Sequence, residues 1–349
     1  MRPLVLSAVT LLFSAAANAS LFTNFVVFGD SLSDNGNAYI ATLGTTPAPP
    51  DYTTFPTGLG RFTDGPDTTP AGTPGPIWHE VLAGLLGVSP AEPFVPPVNG
   101  TNFAVGGAQV LQDVPSGPFT IPSLQSQVGL YLSGVGGHAD PNALYILWGG
   151  ANDLYSAVET PGATAAQIAA TETQMVQSLG IDVAALASAG AKNFLWLNLP
   201  QLATTPRGAN DSNMVSPQVA AAFAAASTQF ASDVTSESAL LDSILGVHIA
   251  DVDVYSLYQS ILANPAAFGY SNVTGFAQGN PLANPDQYLF WDYASHPTTT
   301  GHFLIGEAAD AAVLSTFIPE PATWIAGGAG LFIVVWRRRK TRVPTRWNA

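Results

Sequence analysis

Ser31 follows the run Phe25-Val26-Val27-Phe28-Gly29-Asp30, and His296 stands four positions after Asp292 near the other end of the chain. A serine hydroxyl is a poor nucleophile until a base takes its proton during attack. That base is usually a histidine, oriented by a carboxylate that stabilises the imidazolium. Ser31, His296 and Asp292 are residues of these three types. Attack on a carbonyl also needs hydrogen-bond donors waiting for the oxyanion, each able to contribute about 3–4 kcal/mol. Candidates are the backbone N–H of Ser31 itself, the N–H of Gly107 (with Gly106 adjacent, so the register is open by one) and the side-chain amide of Asn152. Asp30, Asp34 and Asn35 are placed to brace the loop that carries Ser31. His302 reads as a residue on the face of a late helix, while His79, His138 and His248 have no evident partner.

These residues need a frame. Short apolar runs rich in β-branched and aromatic residues, at 25–29, 144–148, 193–199 and 247–252, read as strands buried on both faces. Helical periodicity occupies 77–86, 124–132, 164–189, 218–245 and 300–314. Strands alternating with helices predict a parallel sheet covered on both sides. In such a sheet ligands bind beyond the carboxyl ends of the strands. Ser31 follows the first strand and Asn152 the second, and Gly107 closes a further strand-to-loop junction at 102–107. Trp78, Tyr131 and Trp148 read as core. The stretches 41–76 and 88–122 are rich in Pro, Gly and Thr and are expected to be long loops that set substrate identity.

Composition narrows the partners. The chain has 349 residues and no cysteine, which excludes disulfides, thiolate metal sites and a cysteine nucleophile. Between Ser20 and Ile318 it carries 3 basic and 23 acidic residues, a net charge of −20. The field of such a body repels nucleic acid and anionic membranes and favours neutral or apolar substrates.

Both ends read as addresses. Residues 1–19 combine Arg2, an apolar stretch and Ala17-Asn18-Ala19, the pattern of a secretory signal peptide. Near the other end, Pro319-Glu320-Pro321 precedes an uncharged apolar run over 322–336 and the cluster Arg337-Arg338-Arg339-Lys340. As a helix that run of 15 residues spans about 22 Å, short of a bilayer core of about 30 Å unless flanking residues help. The segment 317–349 resembles a PEP-CTERM sorting signal. This resemblance implies export, C-terminal membrane contact (a transmembrane helix is the expected form) and processing by an exosortase-type enzyme.

The body resembles the GDSL esterases and lipases, the SGNH hydrolase superfamily, in its lecithinase/haemolysin-like branch. Four motifs carry the resemblance in order: Phe25 to Asn37, Asn102-Phe103-Ala104-Val105-Gly106-Gly107, Gly150-Ala151-Asn152-Asp153, and Asp292 to Thr298. The resemblance implies a three-layer α/β/α sandwich with a flavodoxin-like parallel sheet over residues 20–316. It implies Ser31 as nucleophile, His296 as base and Asp292 as its partner, with Ser31, Gly107 and Asn152 forming the oxyanion hole and no metal or cofactor required. One feature departs from the family pattern, because three residues separate Asp292 from His296 where two are usual. The expected function is a secreted carboxylic-ester hydrolase. A deacetylase of envelope polysaccharide would use the same site, and a non-catalytic envelope protein on a hydrolase scaffold is the reading from another class.

Overall fold

The computed structural model describes residues 20–44, 60–64, 75–213, 216–280 and 282–318. The expected signal peptide and the C-terminal apolar run lie outside the described residues. Among the described residues no helix is long and apolar enough to cross a membrane.

In chain order the elements are β1 (Phe25–Gly29), α1 (Asn37–Ala41), α2 (Trp78–Leu86), the hairpin β2 (Val114–Ser116) and β3 (Phe119–Ile121), α3 (Leu124–Gly134), β4 (Leu144–Trp148), α4 (Ala151–Glu159), α5 (Ala165–Ser188), β5 (Asn193–Leu197), α6 (Pro206–Asn210), α7 (Pro217–Leu245), β6 (His248–Val252), α8 (Val254–Ala263), β7 (Asn272–Phe276), β8 (Tyr288–Phe290) and α9 (Thr299–Phe317). The central sheet has the order β1-β4-β5-β6, with every pair parallel. Every residue of β1 and β4 is buried, as expected of strands covered on both faces.

An extended segment at 101–105 flanks β1. Val27 donates its N–H to Thr101 O, and Phe103 and Val105 donate theirs to Val27 O and Gly29 O, at 2.7–3.1 Å. Counting this edge, the sheet runs edge-β1-β4-β5-β6, the flavodoxin-like order 2-1-3-4-5. Helices α3, α5 and α7 pack together on one face, and α2 and α9 on the other. The layers are therefore α/β/α.

The stretch expected as one loop over 88–122 differs from that expectation. It holds the edge segment and the β2–β3 hairpin, because its apolar residues Phe103, Ala104, Ala108 and Val110 pack into the core. Of 41–76, only Gly60–Asp64 and the flanks are described. There Arg61 pairs with Glu80 at 2.6 Å, tying the segment to α2.

The helices begin where sequence chemistry lets them. Thr164, Ser216 and Thr298 each cap a helix by accepting a backbone N–H from the first turn. Pro217 opens α7 at a position where no N–H is needed, and Gly246, at φ 60, closes it.

Candidate active site

The order of the sheet reverses at β1, with the edge segment on one side and β4 on the other. The loops leaving these three elements meet at that point, where an open parallel sheet forms its crevice. The loop after β1 brings Ser31, the loop after Val105 brings Gly107, and the first turn of α4 brings Asn152. The segment after β8 returns across them with Asp292 and His296. Ser31, Gly107, Asn152 and His296 line a cavity of about 160 Å³, with Leu32, Phe62, Tyr155 and Arg207 among its other walls, and Asp292 stands behind His296.

Three side chains form one hydrogen-bonded line. His296 Nδ1 lies 2.7 Å from Asp292 Oδ2, and His296 Nε2 lies 2.7 Å from Ser31 Oγ. A carboxylate only accepts hydrogen bonds, so Nδ1 carries the proton and Nε2 is left as the acceptor for the Ser31 hydroxyl. Burial alone would depress the His296 pKa. The charge and hydrogen bond of Asp292 outweigh it and hold the imidazole above its ordinary value. Ser31 is 8% exposed, enough for its hydroxyl to face the cavity.

The spacing of Asp292 and His296 is accommodated by a tight turn. Ser295 donates its N–H to Asp292 O at 3.0 Å and takes φ 75, in the left-handed region. His296 donates its own N–H to Asp292 Oδ1 at 3.1 Å, so one carboxylate holds both ring and backbone of the histidine. Trp291 N–H closes the loop on His296 O at 2.7 Å. Ser295 Oγ accepts the Arg207 N–H at 3.0 Å, which fastens the turn to the start of α6.

The donors face the cavity from the other side. Asn152 Nδ2 donates to Ala108 O at 2.9 Å, which fixes the amide and leaves its second N–H available. Gly107 has φ 83 and lines the cavity. Gly106 does not line it. Its N–H is bonded to Asp34 Oδ2 at 2.8 Å, and a Cβ there would stand 2.4 Å from the Phe62 ring. That ring in turn lies against His296, with centroids 5.1 Å apart. The open register between the two glycines thus has a geometric preference for Gly107.

The bracing residues are where the sequence placed them. Asp34 accepts N–H bonds from Gly36, Asn37, Ala38 and Gly106 at 2.7–3.1 Å, and Asp30 accepts one from Leu32 at 2.9 Å. Burial outweighs these bonds and pushes both carboxyls up to about 6. Asn35 Nδ2 bonds to Ala91 O and Glu80. Burial alone would raise Glu80, but the Arg61 guanidinium holds it down at about 2. Asp153, next to Asn152, accepts the N–H groups of Val110 and Leu111 at 2.8 and 3.0 Å and so ties the Gly107 loop to α4.

Other parts were not legible. Gln127, fully buried on α3, exchanges two 2.9 Å hydrogen bonds with the backbone of Gly29 and fixes the end of β1 just before the nucleophile loop. Tyr155, Thr205 and Arg207 form one wall, with the Tyr155 hydroxyl 2.9 Å from Thr205 Oγ1 and the Arg207 guanidinium 4.0 Å over the Tyr155 ring, paired with Glu159. No local pattern announces these residues; they come from separate elements and meet only in the fold. His302 is buried inside α9's inner face, where Nδ1 accepts the Trp78 N–H at 3.3 Å. His79 is also buried and has a partner after all, since its Nε2 donates to Ser33 O at 3.0 Å. Trp78, Tyr131 and Trp148 are core residues as expected, although Trp148 also touches the cavity floor. Among the described residues no cluster of three or more metal-ligating side chains occurs.

Comparison with known proteins bears on the family of the chain. The chain is 33% identical over 195 residues to Lipase 1 of Photorhabdus luminescens, covering 56% of this chain and 25% of that one. It is 28% identical to Esterase EstA of Pseudomonas aeruginosa, covering 92% of this chain and 52% of that one. The chain thus spans between a quarter and about half the length of these relatives. Phospholipase A1 from Streptomyces albidoflavus superposes with a TM-score of 0.40 at 12% identity, over 84% of this chain and 99% of that one. The PEP-CTERM protein-sorting motif matches residues 317–340, which indicates export and envelope sorting. The GDSL-like Lipase/Acylhydrolase model matches residues 25–309, and the chain belongs to that family.

Proposed function

We propose that the chain is an exported serine ester hydrolase, with Ser31, His296 and Asp292 as its catalytic residues. The observation that carries this reading is the line Asp292–His296–Ser31, with both links at 2.7 Å, facing the Gly107 and Asn152 donors across one cavity. Ser31 Oγ attacks the ester carbonyl carbon as its proton passes to His296 Nε2. The carbonyl π-electrons move to oxygen, and the oxyanion is received by the N–H groups of Ser31 and Gly107 and by the Asn152 amide. Collapse of the intermediate expels the alcohol, which takes the proton from His296, and leaves an acyl group on Ser31. Water, deprotonated by the same imidazole, repeats the sequence and releases the carboxylic acid. In this reading the export signal occupies 1–19 and the sorting segment 317–349, around a hydrolase domain at 20–316.

The described walls enclose about 160 Å³ beside Ser31, space for an ester carbonyl between the nucleophile and the Gly107 and Asn152 donors. A deacetylase of envelope polysaccharide would use the same residues. The extra residue before His296 leaves the hydrogen-bonded line complete, which argues against a scaffold that has lost its chemistry. Hydrolysis of p-nitrophenyl esters from acetyl to palmitoyl, by the wild-type chain and by Ser31→Ala, tests the proposal. Turnover of the short esters that vanishes in the variant supports it; turnover that survives in the variant removes Ser31 from the mechanism.

A further inference from the structure

The cleft and the point where the chain leaves the fold lie at opposite ends of the sheet. Phe317, the last residue of α9, packs edge-on against Phe22, just before β1, with ring centroids 5.1 Å apart. It also meets His248, the first residue of β6, at 6.2 Å. Both partners mark the N-terminal ends of strands, whereas Ser31 and Asn152 follow C-terminal ends. Helix α9 connects the two ends. It starts at Thr299, three positions after His296, and its 19 residues span about 28 Å at 1.5 Å per residue.

The apolar run over 322–336 begins four positions after Ile318, with Pro319, Glu320 and Pro321 between. Four residues reach at most about 14 Å when fully extended. A body of this length has a radius of gyration of about 19 Å. Tied to a surface by so short a span, it has no room to roll over and bring its far end down.

We propose that the chain, held at the segment after Ile318, points its cleft away from the bilayer that holds it, so that its substrate is an acylated polymer beyond that surface and not a lipid of the same bilayer. This rests on the ester-hydrolase reading given above. It applies to the chain that keeps its apolar run over 322–336 in the bilayer.

The test places one acetyl-ester fluorophore on three carriers. These are a lipid in the phosphatidylcholine vesicles that hold the full chain, a lipid in separate phosphatidylcholine vesicles, and soluble dextran. The dextran-linked ester should be hydrolysed at least about tenfold faster than the ester in the same vesicles, because the anchored cleft has almost no effective concentration of its own lipids. A Gly-Ser linker of about 40 residues inserted between Ile318 and Pro319 has an r.m.s. span of about 35 Å. It should raise same-vesicle hydrolysis at least about tenfold, through the gain in effective concentration, and leave the dextran rate unchanged. Same-vesicle hydrolysis that equals the dextran rate without the linker overturns the proposal, as does a chain that fails to float with the vesicles. Absence of hydrolysis on all three carriers overturns the ester-hydrolase reading itself, a failure distinguishable from loss of the orientation alone.

Discussion

Replacing Asp292 by Asn leaves the shape of the loop and removes one charge. In the wild type the carboxylate meets the ring at 2.7 Å through Oδ2 and the His296 N–H at 3.1 Å through Oδ1. An Asn that keeps its oxygen on the backbone N–H presents an NH₂ to Nδ1. The ring proton then moves to Nε2, where Ser31 needs an acceptor. The transition state loses the attraction between imidazolium and carboxylate as well. For charge centres roughly 4 Å apart at an effective dielectric constant of 20, that is about 4 kcal/mol. At 1.36 kcal/mol per decade this corresponds to a loss in kcat of roughly a thousandfold. The pH profile should move too. Neutral His296 is the active form, so activity is present above its pKa. Burial depresses that pKa and Asp292 more than restores it. With Asp292 gone, burial dominates, and the acid limb of kcat/KM should shift to lower pH while the plateau falls. Initial rates on p-nitrophenyl acetate across pH, beside thermal unfolding to show that the variant folds, measure both effects. A plateau within about threefold of wild type, or an acid limb that stays in place, would refute the assignment of Asp292.

Other substitutions and conditions separate the remaining parts. Asn152→Ala should lower kcat by about 10²–10³ with little change in KM, since the amide is needed most when the oxyanion forms; steady-state kinetics on a short ester decide it. Ser295→Val puts a β-branched side chain at φ 75 and should cost about 1–2 kcal/mol, whereas Ser295→Gly adopts that conformation freely. Both variants lose the Oγ that accepts the Arg207 N–H, so unfolding midpoints in urea should fall for both and fall further for Val. The buried acids and the buried histidines oppose each other in the pH dependence of stability. Burial raises Asp30, Asp34, Asp153 and Asp251 to about 6, and Glu172 and Asp182 to about 7. The folded state holds these protons where the unfolded chain has lost them, so their contribution is complete below the unfolded pKa values and is lost as pH rises through 6–7. The buried, neutral His79 and His302 act with the opposite sign as pH falls through the ordinary histidine range. In a His79→Gln/His302→Gln variant the melting temperature should therefore climb as pH falls from about 7 to about 5, and a fall there contradicts the burial assigned to these acids.

Much of the frame was legible because burial on both faces leaves a plain mark. The runs 25–29 and 144–148 are strands over those same residues. The reading of 193–199 ran past the strand end at Leu197, because Asn198 and Leu199 remain buried while the chain is already turning. Helices α5 and α7 matched to within a residue at each end, since caps and periodicity agree there. The edge segment at 101–105 shows in the sequence only as a junction. It bonds to β1 along one side, and its buried Asn102 breaks the apolar run. Asn102 is buried because its Nδ2 reaches Ser33 O and Asn35 Oδ1, both at 2.7 Å, contacts no local pattern can show. No run in the sequence announces helix α4, although its first turn carries the Asn152 motif. Four motifs announced the candidate site, but Gln127, Thr205 and Arg207 meet it only through tertiary packing. The extra residue before His296 looked like a departure on paper. In the fold it is a left-handed turn pinned to α6.

The central claim is that Ser31 is the activated nucleophile. The most direct measurement is the intact mass of the chain after treatment with a fluorophosphonate, for wild type and Ser31→Ala. The account predicts one covalent adduct on the wild type, located on Ser31, and none on the variant. A folded wild type that takes no label, or an equal adduct on Ser31→Ala, would contradict it.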